Sequence, residues 1–108
     1  MARVVAVVPD LLFGSKVRGM LAAAGHEVEL VGSADEARSR AADVVIVDLT
    51  AGEPDATGIV GRVQTLAFYS HVEADVRARA EEAGYDLVVP RSRMAREGAA
   101  LVERLAGG

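Results

Sequence analysis

The strongest structural signal in this chain is the stretch Ala42-Asp43-Val44-Val45-Ile46-Val47-Asp48-Leu49. Its β-branched residues are continuous and do not alternate with polar ones, which is typical of a central strand in a parallel sheet covered on both faces. A second continuous run, at residues 4–8, leads directly into Pro9 and Asp10. We therefore predict two buried strands that each end close to an aspartate.

Three more aliphatic runs extend this pattern to five predicted strands. They lie at residues 27–31, 65–69 and 86–89, beside 4–8 and 43–49, and segments with helical character separate them. Strict alternation of strands and helices predicts a doubly wound, five-stranded parallel α/β domain. The predicted helix signals are capping boxes that begin at Ser33 and Ser70, a cap at Ser92, and stops at Gly25 and Gly84.

The third crossover, residues 50–64, departs from this alternation. Gly52, Pro54, Gly58 and Gly61 interrupt it, so we predict a loop with at most a short helix near residues 57–63. No linker or internal repeat divides the chain. We predict a single domain over residues 1–108, in which residues 106–108 form a frayed tail.

The composition argues against several classes of protein. With 51% hydrophobic residues, 26% charged residues and no apolar run near the ~20 residues of a membrane span, we expect neither a disordered chain nor a membrane protein. The absence of cysteine excludes disulfides and thiolate chemistry and is consistent with a cytoplasmic protein. A net charge of −4 without a basic cluster argues against direct binding of nucleic acid.

Polar residues follow four of the predicted strands, at the carboxyl edge of the sheet. They lie at residues 9–10, 48–50, 69–71 and 90–92. With these segments, the chain resembles the receiver domain of bacterial two-component response regulators. Further stretches that carry the resemblance are VVPD at 7–10, LAAAGHEV at 21–28, ADVVIVDL at 42–49 and AGYDLVV at 83–89. The resemblance covers residues 3–105. It implies a flavodoxin-like sheet with strand order 2-1-3-4-5, and the shortened third crossover helix is a departure of this chain from the family.

The resemblance implies a phosphoacceptor at Asp48, the aspartate that ends the third strand. It also implies a Mg²⁺ site formed by Asp10, Asp48 and the backbone carbonyl of Thr50. Because Pro9 stands where the family carries a second acid, we expect this site to be weak. No cofactor other than Mg²⁺ is implied.

Three switch positions of the family are also altered in this chain. The hydroxyl that senses the phosphoryl group corresponds to Tyr69, with Ser70 beside it, and the lysine that contacts the phosphate corresponds to Arg91. A tyrosine hydroxyl lies much farther from the backbone than a threonine hydroxyl, so Tyr69 cannot make the same short contact. An arginine carries a planar fork that could bridge Asp48 directly, in place of the metal.

Most of these residues also have a purely structural interpretation. Asp10 is suited to the N-terminus of a helix, Asp48 to a turn after a strand, and Ser70 to a helix cap. Arg91 is equally consistent with a surface arginine. His71 is expected to lie in the first turn of a helix, and His26 in a solvated turn.

Three functions remain open on this evidence. The first is an atypical receiver-like signalling domain that acts as a protein-interaction module, with phosphorylation absent or impaired. The second is an active receiver phosphorylated on Asp48 in a two-component phosphorelay, and the third is a small flavodoxin-like ligand-binding domain. No catalytic turnover is predicted.

Partners are expected to be proteins, either a histidine kinase or a downstream signalling protein. The face built by the last two helices and the fifth strand is the predicted contact surface, and a homodimer through that face is an alternative. Its candidate contributors are Tyr85, Val88, Arg93 and Arg96.

Overall fold

The computed structural model of the chain describes residues 1–70 and 74–107. Five parallel strands form one sheet in the order β2-β1-β3-β4-β5, which confirms the predicted fold class and strand order. The strands are β1 (Arg3–Val7), β2 (Glu27–Val31), β3 (Val44–Asp48), β4 (Gln64–Tyr69) and β5 (Leu87–Pro90). The helices are α1 (Leu11–Ala23), α2 (Ala34–Arg38), α3 (Ala74–Ala83) and α4 (Arg91–Ala106).

Two apolar layers cover the sheet, one on each face. Alternate strand residues such as Ile46 and Phe68 pack against α1 and α4, whereas Val45 and Val47 face α2, α3 and the third crossover. All five residues of β3 are buried. Burial on both faces explains why the β3 sequence is continuously apolar.

The third crossover forms turns and contains no α-helix, so the short helix near residues 57–63 is absent. Gly58 and Gly61 adopt φ values of +84° and +81°, which lie outside the right-handed helical region. The segment is held by turn hydrogen bonds, such as Ile59 N to Ala56 O at 2.9 Å. A loop therefore covers part of the sheet face that a helix would otherwise cover.

The predicted helix caps have different outcomes. The Ser33 hydroxyl accepts a hydrogen bond from the Glu36 amide at 3.2 Å, which confirms the start of α2. Ser92 lies inside α4, and the cap residue is Pro90, which makes no side-chain cap. The Ser92 prediction was wrong because β5 runs into α4 without an intervening residue. Residues 71–73 of the capping box that begins at Ser70 lie outside the described residues, as does Gly108 of the predicted tail.

The amino edge of the sheet contains a buried histidine where the sequence suggested a solvated one. His26 is only 8% exposed, and its Nδ1 accepts a hydrogen bond from the Ala2 amide at 3.0 Å. Its Nε2 lies 3.6 Å from a Glu103 carboxylate oxygen on α4. The prediction was wrong because the turn after α1 folds back against the chain start and α4.

Among the described residues, no helix is both long enough and apolar enough to cross a lipid bilayer.

Candidate functional site

Asp48 is the last residue of β3 and lies almost fully buried at the carboxyl edge of the sheet, with 3% exposure. Its Oδ1 accepts two hydrogen bonds from Thr50, one from the amide at 2.7 Å and one from the hydroxyl at 2.6 Å. A carboxylate that binds the amide two residues later closes an Asx-type turn. Asp48 thus has a clear structural role in ending β3.

Asp10 is the N-cap of α1. Its Oδ1 accepts hydrogen bonds from the Leu12 and Phe13 amides at 3.0 and 3.2 Å, and its backbone is extended at φ −70° and ψ 109°. Two amides that the helix cannot satisfy internally are satisfied in this way. The helix-cap interpretation of Asp10 is therefore correct.

Arg91, the first residue of α4, contacts α1 and not β3. A guanidinium nitrogen lies 3.5 Å from Asp10 Oδ2, and the guanidinium carbon stacks 4.1 Å above the Phe13 ring. Phe13 in turn packs on Phe68, with ring centroids 5.1 Å apart. The structure thus gives Asp10 as the ion-pair partner of Arg91, and the anticipated bridge to Asp48 is not formed among the described residues.

A hollow of about 340 Å³ opens beside Asp48. Its walls come from Pro9, from Ser33 at the start of α2, and from Gly52 and Pro54 of the third crossover. Asp10 is not among the residues that line it. The two aspartates lie at the same edge of the sheet, but in the described part of the chain they do not face one shared pocket.

The donors present do not fit a Mg²⁺ ion as they are arranged. Mg²⁺ prefers six oxygen ligands in near-octahedral geometry. Asp10 is engaged by the α1 amides and Arg91, and Asp48 Oδ1 by Thr50. Within residues 1–70 and 74–107, no group of three histidine or acidic residues is placed to hold a metal. Asp48 Oδ2 and the Thr50 carbonyl are the predicted ligand atoms that make no hydrogen bond with the described residues.

The two candidate switch hydroxyls lie at the end of β4, with Tyr69 as its last residue and Ser70 directly after it. Tyr69 is 6% exposed and packs in the apolar layer beneath α2 and α3. Its hydroxyl makes no hydrogen bond with the described residues. Ser70 is half-buried and directly precedes the undescribed segment, so its role as a cap stays a prediction.

Tyr85 is buried at 8% exposure and does not lie on a partner surface, so that assignment was wrong. Gly84 adopts a φ of +100°, and this turn directs the next side chain inward. Of the other predicted surface residues, Val88 and Arg93 are half-buried and Arg96 is exposed. Arg93 pairs with Glu97 one turn further along α4, at 3.6 Å.

Sequence reasoning missed two contacts between elements. Phe13 lies beneath Arg91, and its only sequence signal was an aromatic residue three positions after an N-cap. Glu53 of the third crossover forms a two-pronged ion pair with Arg79 of α3, at 2.8 and 2.9 Å. No local pattern links positions so far apart, so these contacts required the folded chain.

Comparison with solved structures agrees with this architecture. A putative response regulator from Chloroflexus aurantiacus superposes with a TM-score of 0.83 at 18% identity, covering 99% of this chain and 98% of that one. A response regulator receiver protein from Burkholderia phymatum gives 0.79 at 24% identity, with 99% and 96% coverage. The receiver domain of Francisella response regulator 1452 gives 0.80 at 11% identity, with 99% and 98% coverage. Neither known family models nor curated proteins match the sequence.

The chain therefore has the receiver-domain fold of response regulators over nearly its whole length. At these identities the likeness establishes the fold, and the function is argued from the site.

Proposed function

We propose that this domain is a receiver-like signalling module that acts by binding other proteins, and that phosphoryl transfer to Asp48 is absent or impaired. The receiver-domain fold supports the first half of this proposal. The second half rests on the arrangement of charged groups at the carboxyl edge of the sheet.

The observation that carries the proposal is that the Asp10 carboxylate is already bound by other groups of the protein. Its carboxylate caps α1 and pairs with Arg91, so it is bound by three groups of the protein itself. Phosphoryl transfer to a carboxylate needs a cation that offsets charge on the phosphoryl oxygens. With Pro9 in place of a second acid and Asp10 already paired with Arg91, that cation has few ligands to bind.

The neighbouring residues support the same conclusion. Arg91 is held over Phe13 by its stacked guanidinium, so reaching a phosphoryl group on Asp48 would break both this contact and the Asp10 ion pair. Tyr69 is packed into the core, where its ring cannot follow a small movement of the loop as a threonine side chain would.

A module in which phosphoryl transfer is absent or impaired would signal by binding another protein. The partner is either a histidine kinase or a downstream signalling protein, and a homodimer would use the same surface. We place the contact surface on α3, β5 and α4, with Val88, Arg93 and Arg96 as contributors. Arg96 is the exposed member of this set.

The test is incubation of the purified domain with Mg²⁺ and acetyl phosphate, or with beryllofluoride, beside an Asp48→Ala variant. Intact mass and backbone amide shifts measure the adduct. We expect no Asp48-dependent adduct at millimolar Mg²⁺. An adduct on the natural chain that disappears in Asp48→Ala would overturn the proposal.

A restoration experiment sharpens this result. A Pro9→Asp, Arg91→Lys double variant returns the second acid and frees Asp10 from the stacked guanidinium. We expect this variant to bind Mg²⁺ more tightly than the natural chain and to gain Asp48-dependent labelling. If it gains neither, the impairment does not arise from these two positions.

An active receiver is the second candidate, because Asp48 Oδ2 makes no hydrogen bond with the described residues and Asp48 lines the hollow. The same incubation distinguishes the two functions, since only an active receiver yields the adduct without substitutions.

A further inference from the structure

A groove of about 340 Å³ opens between the third crossover and α3, on the face of the sheet opposite α1 and α4. Small apolar side chains line its two walls. Leu49, Ala56 and Val60 form one wall, and Ala80 and Ala83 of α3 form the other. This volume lies at the small end of the range of ligand pockets. It would hold one ring or a short hydrocarbon chain.

The groove exists because the third crossover contains no helix. A helix at this place would pack its side chains onto α3 and the sheet and close the gap. The extended part of the crossover instead leaves the small side chains of Ala80 and Ala83 facing an open space. The ion pair between Glu53 and Arg79 connects the crossover to α3 and forms part of the groove rim.

Tyr85 supplies a polar anchor in this groove. The residue is 8% exposed, yet its hydroxyl has no hydrogen-bond partner in the described part of the chain. Burial, and the carboxylates of Asp55 and Glu53, raise the pKa of this phenol. Tyr85 lines the groove together with both carboxylate residues, and a tyrosine in such a place presents an apolar ring and a hydrogen-bonding hydroxyl to a guest.

The charged groups around the groove favour a positively charged guest. Glu53 and Asp55 contribute two carboxylates, and Arg79 contributes one positive charge that pairs with Glu53. Asp55 also lies 4.0 Å from Arg38, but Arg38 pairs more closely with Asp35, so its charge is shared between two carboxylates. The arrangement leaves negative charge beside an apolar floor and a hydrogen-bonding hydroxyl.

We propose that this groove is a binding site for a small amphipathic cation, an amine or guanidine on an apolar ring or chain, with Tyr85 as its hydrogen-bonding anchor. The apolar part packs against Leu49, Val60 and the two alanines, and the cationic group lies between the Tyr85 hydroxyl and Asp55. The site contains neither Asp48 nor Asp10, although it shares Glu53 and Pro54 with the hollow beside Asp48, and the proposal does not rest on the proposed signalling function.

The test uses three probes of the same shape, benzylamine, benzyl alcohol and benzoate, titrated into the ¹⁵N-labelled full chain. Amide shifts locate the binding and give its affinity. We expect saturable shifts at Leu49, Ala56 and Ala80 with benzylamine, and binding weaker by about tenfold or more with benzoate, which corresponds to about 1.4 kcal/mol. Shifts located elsewhere, no saturable shifts, or equal binding of amine and carboxylate would overturn the proposal.

Two variants test the groove itself. Tyr85→Phe removes only the hydroxyl and is expected to weaken benzylamine about threefold or more, in line with the loss of one hydrogen bond. Ala83→Leu fills the groove from an exposed helix position and is expected to abolish binding. Ala100→Leu, the same change on an exposed position of α4, is the matched control and should bind normally. Unchanged affinity in both groove variants would rule this site out.

Asp48→Ala separates this proposal from the signalling function. We expect it to bind benzylamine like the natural chain, whatever the phosphorylation experiment shows. Loss of benzylamine binding in Asp48→Ala would instead place the site at the hollow and contradict the assignment to the groove.

Discussion

Four aspartates lie at the two edges of the sheet, and the hydrogen bonds that their carboxylates accept differ between the edges. At the amino edge, Asp86 Oδ2 accepts hydrogen bonds from the Thr65 amide and hydroxyl at 2.8 and 3.0 Å, and Asp43 accepts one from the Arg3 amide at 2.8 Å. These carboxylates bridge neighbouring strands. At the carboxyl edge, Asp10 and Asp48 bind amides within three residues of themselves.

Asp86→Ala is predicted to destabilise the domain by about 1.5–3 kcal/mol, because Thr65 is fully buried and loses a charged acceptor for two donors. The midpoint of urea unfolding measures the change. Asp86→Asn keeps an acceptor oxygen and is the control, expected to lose less than about half as much. Equal losses in both variants would show that the charge, and not the acceptor, matters.

The Tyr85 phenol predicts a dependence of stability on pH. Burial, with Asp55 and Glu53 adding to it, raises its pKa in the folded protein above the unfolded value of about 10. The folded state therefore holds the proton more tightly. The stabilisation that the Tyr85 phenol contributes is fully present below its pKa in the unfolded chain. It is lost as pH rises through its pKa in the folded protein.

Urea unfolding at several pH values above neutrality measures this contribution, together with the ultraviolet absorbance of the phenolate. Stability of the natural chain should fall faster above about pH 10 than that of Tyr85→Phe. Identical profiles for the two proteins would show that Tyr85 ionises equally easily in both states.

At the scale of elements, the starts of α1 and α4 form one junction. Asp10 caps α1, Arg91 opens α4, and Phe13 lies between the guanidinium and the core. The α1 helix carries no acidic residue in its first turn, so Asp10 alone supplies negative charge to the helix start. Asp10 and Arg91, two of the residues that a phosphorylation site would use, are therefore part of the packing of two helices.

Asp10→Ala is predicted to cost about 1–2 kcal/mol of stability, because the Leu12 and Phe13 amides lose their acceptor. Asp10→Asn keeps the cap and removes only the charge, so its loss should stay below about 1 kcal/mol, as for other exposed ion pairs. Thermal or urea unfolding compares the two variants. If Asp10→Asn costs as much as Asp10→Ala, the ion pair with Arg91 outweighs the cap.

At the scale of the whole molecule, the two faces of the sheet are covered unequally. One face carries the long helices α1 and α4, and the other carries the five-residue α2, the helix α3 and a loop. Backbone amides in the first part of that loop have few hydrogen-bond partners among the described residues, whereas every residue of β3 is buried. Local stability is expected to differ accordingly.

Hydrogen exchange measures this difference. We predict that the amides of residues 51–53 exchange faster than those of Val45 and Val47 by a factor on the order of a thousand or more, because the loop opens without global unfolding. Glu53→Gln weakens the tie to Arg79 and should speed exchange in the crossover while leaving β3 unchanged. Equal protection in the loop and β3 would mean that the crossover unfolds only with the whole domain.

Much of the architecture was predictable because its signals are local. The continuous run at residues 43–49 and the alternation of strands with helices gave the fold class, and Ser33 marked the start of α2. The cap prediction at Ser92 failed because neighbouring elements meet there without a spacer. The third crossover is the loop that its glycines predicted, without the short helix that was allowed near residues 57–63.

The candidate site was predictable only in part. The positions of Asp10 and Asp48 at the carboxyl edge follow from where their strands end, and both have the structural roles that their local sequence allows. The partner of Arg91, the burial of Tyr85 and the groove beside α3 could not be read from the chain, because each depends on which side chains of distant segments meet.

Local sequence thus specified the strands, the parallel sheet and the capping aspartate, since periodicity and hydrogen bonds over two or three residues need no distant partner. Tertiary packing determined how the charges are used. Long side chains such as Arg91 have many rotamers, and only the Phe13 ring and the Asp10 carboxylate select one of them. The positions of the two aspartates at one edge of the sheet, and their bonds to nearby amides, follow from the sequence. The ion pair of Asp10 with Arg91 follows from the fold.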